Sequence, residues 1–214
     1  MLVVSGRTWR LGFDLVLAAP RHDTWSGRRD HALLTIAAQT GLRLSELTGQ
    51  KRQDIVSGTG AHVRCTGKGR KERCTPLTKQ TMAVLKNWLN EPEKANTGIL
   101  FPNARGIRLS GDGVRYILSK HIATASKTCS SLLRKKVTPH VLRHTMAMEL
   151  LQAGVDRAVI ALWLGHESVE TTQVYLHANL ALKEKILAKS RSSGDERLRR
   201  YKPDDKLMSF LKSL

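Results

Sequence analysis

Thr138-Pro139-His140-Val141-Leu142-Arg143-His144-Thr145 reads as the opening of a helix. A threonine hydroxyl caps a first turn, and proline fits that turn because its missing N–H would have no helical acceptor there. Leu142, Met146, Leu150 and Leu151 recur at helical spacing, and Gly154 stops the run. On such a helix His140 and Arg143 lie on neighbouring rows of one face. His144 offers a second reading, a metal-binding histidine pair with His140, but no glutamate adjoins it and no third ligand is evident.

Working outward, Asp156 starts a short helix with Ile160 and Trp163, stopped by Gly165, and Ser168 starts another that carries Tyr175. Residues 190–200 (SRSSGDERLRR) are polar and expected to be flexible, whereas residues 204–214 regain an apolar helical stripe through Leu207, Phe210, Leu211 and Leu214. Upstream, residues 28–46 read as helix, turn, helix. Leu33, Leu34, Ile36, Ala37 and Ala38 form a stripe, Gly41 caps its end, and Ser45 begins another turn. After Asp54 the pattern becomes extended. Residues 61–66 (AHVRCT) and 72–77 (ERCTPL) flank Gly67-Lys68-Gly69-Arg70-Lys71 as a β-hairpin. Residues 78–89 form an amphipathic helix with Met82, Leu85 and Leu89 on one side. The expected fold class is α+β, mainly α, with a small antiparallel sheet containing the 61–77 hairpin.

Of 214 residues, 36 are Lys or Arg and 18 are Asp or Glu, a net charge of +18. An excess of that size attracts a polyanion, with nucleic acid ahead of anionic lipid. A hydrophobic fraction of 41% suits a globular core rather than a disordered chain. No apolar run is long enough to span a membrane. Residues 1–20 faintly resemble a signal peptide, but Arg7, Arg10 and Asp14 interrupt them, so they read as structure. Cys65, Cys74 and Cys129 lack CxxC spacing and suggest a reducing compartment, although Cys65 and Cys74 could face each other across the hairpin.

Taken singly, Arg43 is a surface arginine at a helix start and Lys68 a solvated basic loop. Their order along the chain says more. TGLRLSEL around Arg43, GKGRKER around Lys68, TPHVLRHT around His140 and Arg143, LGH at His166 and TTQVYLH at Tyr175 together resemble the tyrosine recombinase (phage integrase) family, in its Xer-like and plasmid or transposon integrase branch. The resemblance spans roughly residues 23–182. It implies a helical catalytic domain that cuts and rejoins DNA through a 3′-phosphotyrosyl link. Arg43, Lys68, His140, Arg143, His166 and the nucleophile Tyr175 are its expected catalytic residues, with Glu46 and His144 in support.

The chemistry of a phosphodiester favours the same set. Its transition state gathers charge on the non-bridging oxygens, which two fork-shaped guanidiniums, Arg43 and Arg143, match better than lysines. Each such donor is typically worth ~2.7–4 kcal/mol. A free tyrosine with a pKa of about 10 must be activated by roughly 4 kcal/mol at neutral pH. Cationic neighbours and His140 as base would supply this. Lys68 could protonate the leaving 5′-oxygen, and His166 could hydrogen-bond the phosphate. No cofactor or metal is expected: the spacing from Gly60 to Gly67 is wrong for a P-loop, and no acidic cluster suits a pair of magnesium ions.

Residues 1–189 are expected to be the catalytic domain and 190–214 a flexible tail with a C-terminal amphipathic helix. The separate helical core-binding domain usual before this region is expected to be absent. The resemblance implies double-stranded DNA as partner, a monomer in solution, a homo- or hetero-tetramer on DNA and a bacterial cytoplasmic setting. Alternatives are a catalytically weak DNA-binding accessory subunit and a truncated recombinase remnant.

Overall fold

The computed structural model describes residues 7–67, 72–92 and 97–165. Among these are seven α-helices and a small antiparallel sheet. In chain order they are α1 (Arg7–Ala18), α2 (Trp25–Thr40), α3 (Leu44–Gly49), β1 (Ile55–Val56), β2 (His62–Thr66), β3 (Glu72–Pro76), α4 (Lys79–Leu89), α5 (Gly111–Ala125), α6 (Pro139–Gln152) and α7 (Arg157–Leu164). The expected mainly helical α+β class is what is found. No helix among the described residues is long and apolar enough to cross a membrane.

Helix α2 is the central element. Thr24 caps it by accepting from the Gly27 N–H at 3.1 Å. Gly41 ends it in the left-handed region at φ 63°, its N–H returning to the Ala37 carbonyl at 3.1 Å. The sequence pattern placed the start near Arg28, three residues late, because the apolar stripe does not reach the first turn. Ala32, Leu33, Leu34 and Ile36 of α2 are wholly buried, so the helix is enclosed rather than amphipathic. Helices α1, α4 and α6 pack around it.

Helices α4, α6 and α7 start at Thr78, Thr138 and Asp156, each accepting a first-turn N–H, as their sequences predict. Trp88, not Leu89, is the deepest residue at the end of α4, and its indole donates to the Leu100 carbonyl at 2.7 Å. Helix α5 was not anticipated, although Ser110 caps it and Val114, Ile117, Leu118, His121 and Ala125 form its buried stripe.

The sheet order is β1-β2-β3, so a short third strand joins the expected hairpin. Register corrects one expectation about the cysteines. Cys65 pairs with Arg73 and Cys74 with Arg64. Directly opposed residues share a face, and neighbouring residues alternate. Cys65 and Cys74 therefore point to opposite faces and do not face each other.

The main core joins α1 through α5 and the sheet to the start of α6. A smaller cluster, including Met146, Leu150, Ile160, Trp163 and Leu164, seals α6 against α7. Lys68, His166, Tyr175, the helix expected from Ser168, the polar stretch 190–200 and the apolar stripe 204–214 lie outside the described residues.

Candidate functional site

Arg143 sits one turn into α6, 6% exposed. Its Nη1 donates to the Gly41 carbonyl at 2.5 Å and its Nη2 to the Leu164 carbonyl at 2.7 Å. Gly41 caps α2, and Leu164 is the last residue of α7. Both carbonyls belong to helix ends, where the intrahelical ladder leaves acceptors unused and the dipole favours a cation. The two ends touch. A Cβ on Gly41 would lie 2.8 Å from Cδ2 of Leu164, so side-chain volume as well as φ requires glycine there. Burial first, then the charges of Arg43 and Arg73, pushes the Arg143 pKa down to about 10 against the opposing pull of Glu46. The guanidinium remains charged at neutral pH.

Two residues beyond Gly41, Arg43 forms the N-cap of α3. Its backbone N–H donates to Oε2 of Glu46 at 2.7 Å, and its Nη1 stands 3.4 Å from Oε1. The Arg43 side chain keeps 36% of its surface exposed, whereas that of Glu46 keeps 3%. Glu46 therefore supports Arg43, chiefly through the backbone.

The stronger partner of Glu46 was not anticipated. Arg73, on β3, donates from Nη1 to Oε1 and from Nη2 to Oε2, each at 2.7 Å, a bidentate pair with the arginine side chain 11% exposed. Burial alone would raise the Glu46 carboxyl. The hydrogen bonds and charge of Arg73, with the N–H and charge of Arg43, outweigh it and hold the carboxyl below its ordinary value. What marks Arg73 is its face of the strand, which only burial reveals. Strand alternation puts it on the same face as Thr75, which is wholly buried, and a charge on an inward face needs a counter-charge.

Gly165, left-handed at φ 72°, closes the arrangement. A Cβ there would lie 2.8 Å from Nη1 of Arg73 and 2.9 Å from its Cζ. The Arg73 guanidinium thus rests on the chain immediately before His166, and Arg143 holds the carbonyl immediately before Gly165.

His140 is exposed on the first turn of α6, while His144, one turn further, is half-buried. Burial, then the charge of His140, lowers the His144 pKa, so its imidazole is neutral at pH 7. Among the described residues no group of three potential ligands could hold a metal ion. The structure therefore brings together Arg43, Glu46 and Arg143, adds Arg73, and sets His140 on the exposed turn beside them. In chemical terms, Glu46 offsets only one of the three charges of Arg43, Arg73 and Arg143, so the cluster is net positive and suited to an anionic ligand.

The model of the "Phage integrase family" matches residues 15–181. The chain is 65% identical over 201 residues to "Putative integrase/recombinase y4rC" of Sinorhizobium fredii, a match covering 94% of this chain and 60% of that protein. It is 37% identical over 176 residues to "Tyrosine recombinase XerC" of Chlamydia trachomatis, covering 80% of this chain and 53% of that one. The chain thus spans between half and two thirds of the length of these curated relatives. Among solved structures, XerA recombinase superposes with a TM-score of 0.64 at 26% identity, over 92% of this chain and 67% of that one. XerH site-specific recombinase bound to palindromic difH substrate superposes at 0.66 and 23% identity, over 90% and 53%, a likeness of fold.

Proposed function

This chain belongs to the phage integrase family, and from that premise we propose that it is a tyrosine-type site-specific recombinase of a mobile element, breaking and rejoining double-stranded DNA. The observation that carries the reading is that Arg43 and Arg143, a hundred residues apart in sequence, come close enough for the charge of one to lower the pKa of the other, in a cluster where, among the described residues, Glu46 is the only opposing charge acting on Arg143. The net charge of +18 supplies the long-range attraction to a polyanion.

In the proposed step, Tyr175 Oη attacks the scissile phosphorus and gives its proton to His140. The P–Oη bond forms as the P–O5′ bond breaks, and the departing 5′-oxygen takes a proton from Lys68. Arg43, Arg143 and His166 neutralise the non-bridging oxygens. Attack by a 5′-hydroxyl of the partner strand reverses the step. The phosphotyrosyl link conserves the bond energy, so the sequence requires neither nucleotide nor metal. Residues 1–189 act as the catalytic domain, in the cytoplasm, as a monomer that assembles into tetramers on DNA. XerH, of the same fold, is bound to its DNA substrate.

The test is a nicked suicide duplex carrying the element's own ends. The chain is expected to form a covalent protein–DNA adduct in EDTA, and Tyr175→Phe none. An adduct with the Phe variant, or a magnesium requirement, overturns the assignment.

A further inference from the structure

Glu46 sits between two arginines and binds them unequally. Arg73 occupies both carboxylate oxygens at 2.7 Å, while the Arg43 guanidinium makes one approach at 3.4 Å and stays 36% exposed. The Arg43 backbone N–H is fixed to the same carboxylate at 2.7 Å, so its side chain always hangs within reach of it. A carboxylate only 3% exposed recruits whichever cation can approach. We infer that Arg73 is a positioning residue for phosphodiester cleavage: by saturating Glu46 it keeps the Arg43 guanidinium outward and available to the phosphate. This inference rests on the recombinase reading above.

The surroundings of Arg73 suit the role. It lies on β3, shares its face with buried Cys65, and packs against Gly165 just before His166. One guanidinium therefore braces the hairpin, the start of α3 and the end of α7. Without Arg73, Arg43 becomes the remaining partner of Glu46 and turns inward, while the charge balance on Arg143 shifts as well. A rival role, simple bracing of the fold, predicts that the Arg43 guanidinium is as exposed in the folded Arg73→Gln variant as in wild type.

The experiment compares wild type, Arg73→Gln, Arg73→Lys and the double variant Arg73→Gln/Glu46→Gln in single-turnover adduct formation. Arg73→Gln is expected to slow cleavage by about 100-fold, the scale of a lost transition-state donor, with duplex affinity within about twofold because many cations share the backbone contacts. The double variant is expected to be about tenfold faster than the single, since no buried carboxylate remains to capture Arg43. Arg73→Lys should fall between, having charge without the fork.

A second readout needs no catalysis: the Arg43 Nε–H resonance in each folded protein, with and without duplex DNA. It should respond to DNA in the wild type, and be protected and unresponsive in Arg73→Gln. An unchanged Arg43 resonance, or a double variant no faster than the single, overturns the inference. If the wild type forms no adduct, the recombinase reading falls, and the resonance alone decides the role of Arg73.

Discussion

Arg143 bridges two helix ends: its Nη2 donates to the Leu164 carbonyl at 2.7 Å, two residues before His166, and its Nη1 to the Gly41 carbonyl, two residues before Arg43. The side chain expected to clamp phosphate therefore also fixes where the chain enters its neighbours. Charge and fork geometry become separable demands on one residue.

Arg143→Lys should accordingly behave almost as badly as Arg143→Ala. Lysine keeps the charge but cannot span both carbonyls. Both are expected to lower single-turnover cleavage by about 100-fold or more, and non-specific DNA affinity much less. A lysine variant with near wild-type cleavage would show that charge alone suffices.

Gly41→Ala tests the contact between the two helix ends. A non-glycine residue in the left-handed region costs about 1–2 kcal/mol, and the added Cβ must also displace Leu164 Cδ2 from 2.8 Å. A loss of at least about 1.5 kcal/mol in urea denaturation, with slower cleavage, is expected. Gly58→Ala is the control: its φ is also positive, but nothing lies within 4 Å of its Cβ position, so it should cost the backbone term alone and leave cleavage unchanged.

Stability should fall on acidification for a reason located at Glu46. Its folded pKa lies below the ordinary 4.5, so the unfolded chain takes up the proton first. The stability it contributes is present above 4.5 and is lost as pH drops through the folded value. Glu46→Gln should be less stable than wild type near neutral pH, by about 3–5 kcal/mol if the pair behaves as a broken buried ion pair. Its stability should then decline less steeply below about pH 5. Asp30, also lowered while buried between Arg29 and His121, keeps its own acid response in both proteins. Parallel stability–pH curves for wild type and variant would contradict the assignment.

The sequence by itself determined the local part of this protein. The threonine and aspartate caps at Thr78, Thr138 and Asp156, Gly41, Gly154 and Gly165 as stops, and the alternation around the hairpin are decided by neighbours a few residues away, so their signals survive in the linear chain, whereas α3 starts from Arg43 and not from Ser45. The candidates Arg43, Glu46 and Arg143 were legible through flanking motifs that resemble a known family. Tertiary structure decided what these groups do to one another. Register, which is a property of two strands, turned Cys65 and Cys74 to opposite faces. Arg73 reads as an ordinary strand residue until β3 meets α3, because a buried ion pair exists only once both partners have lost water together. The second task of Arg143, joining the ends of α2 and α7, likewise rests on carbonyls that become unpaired acceptors only where helices end side by side.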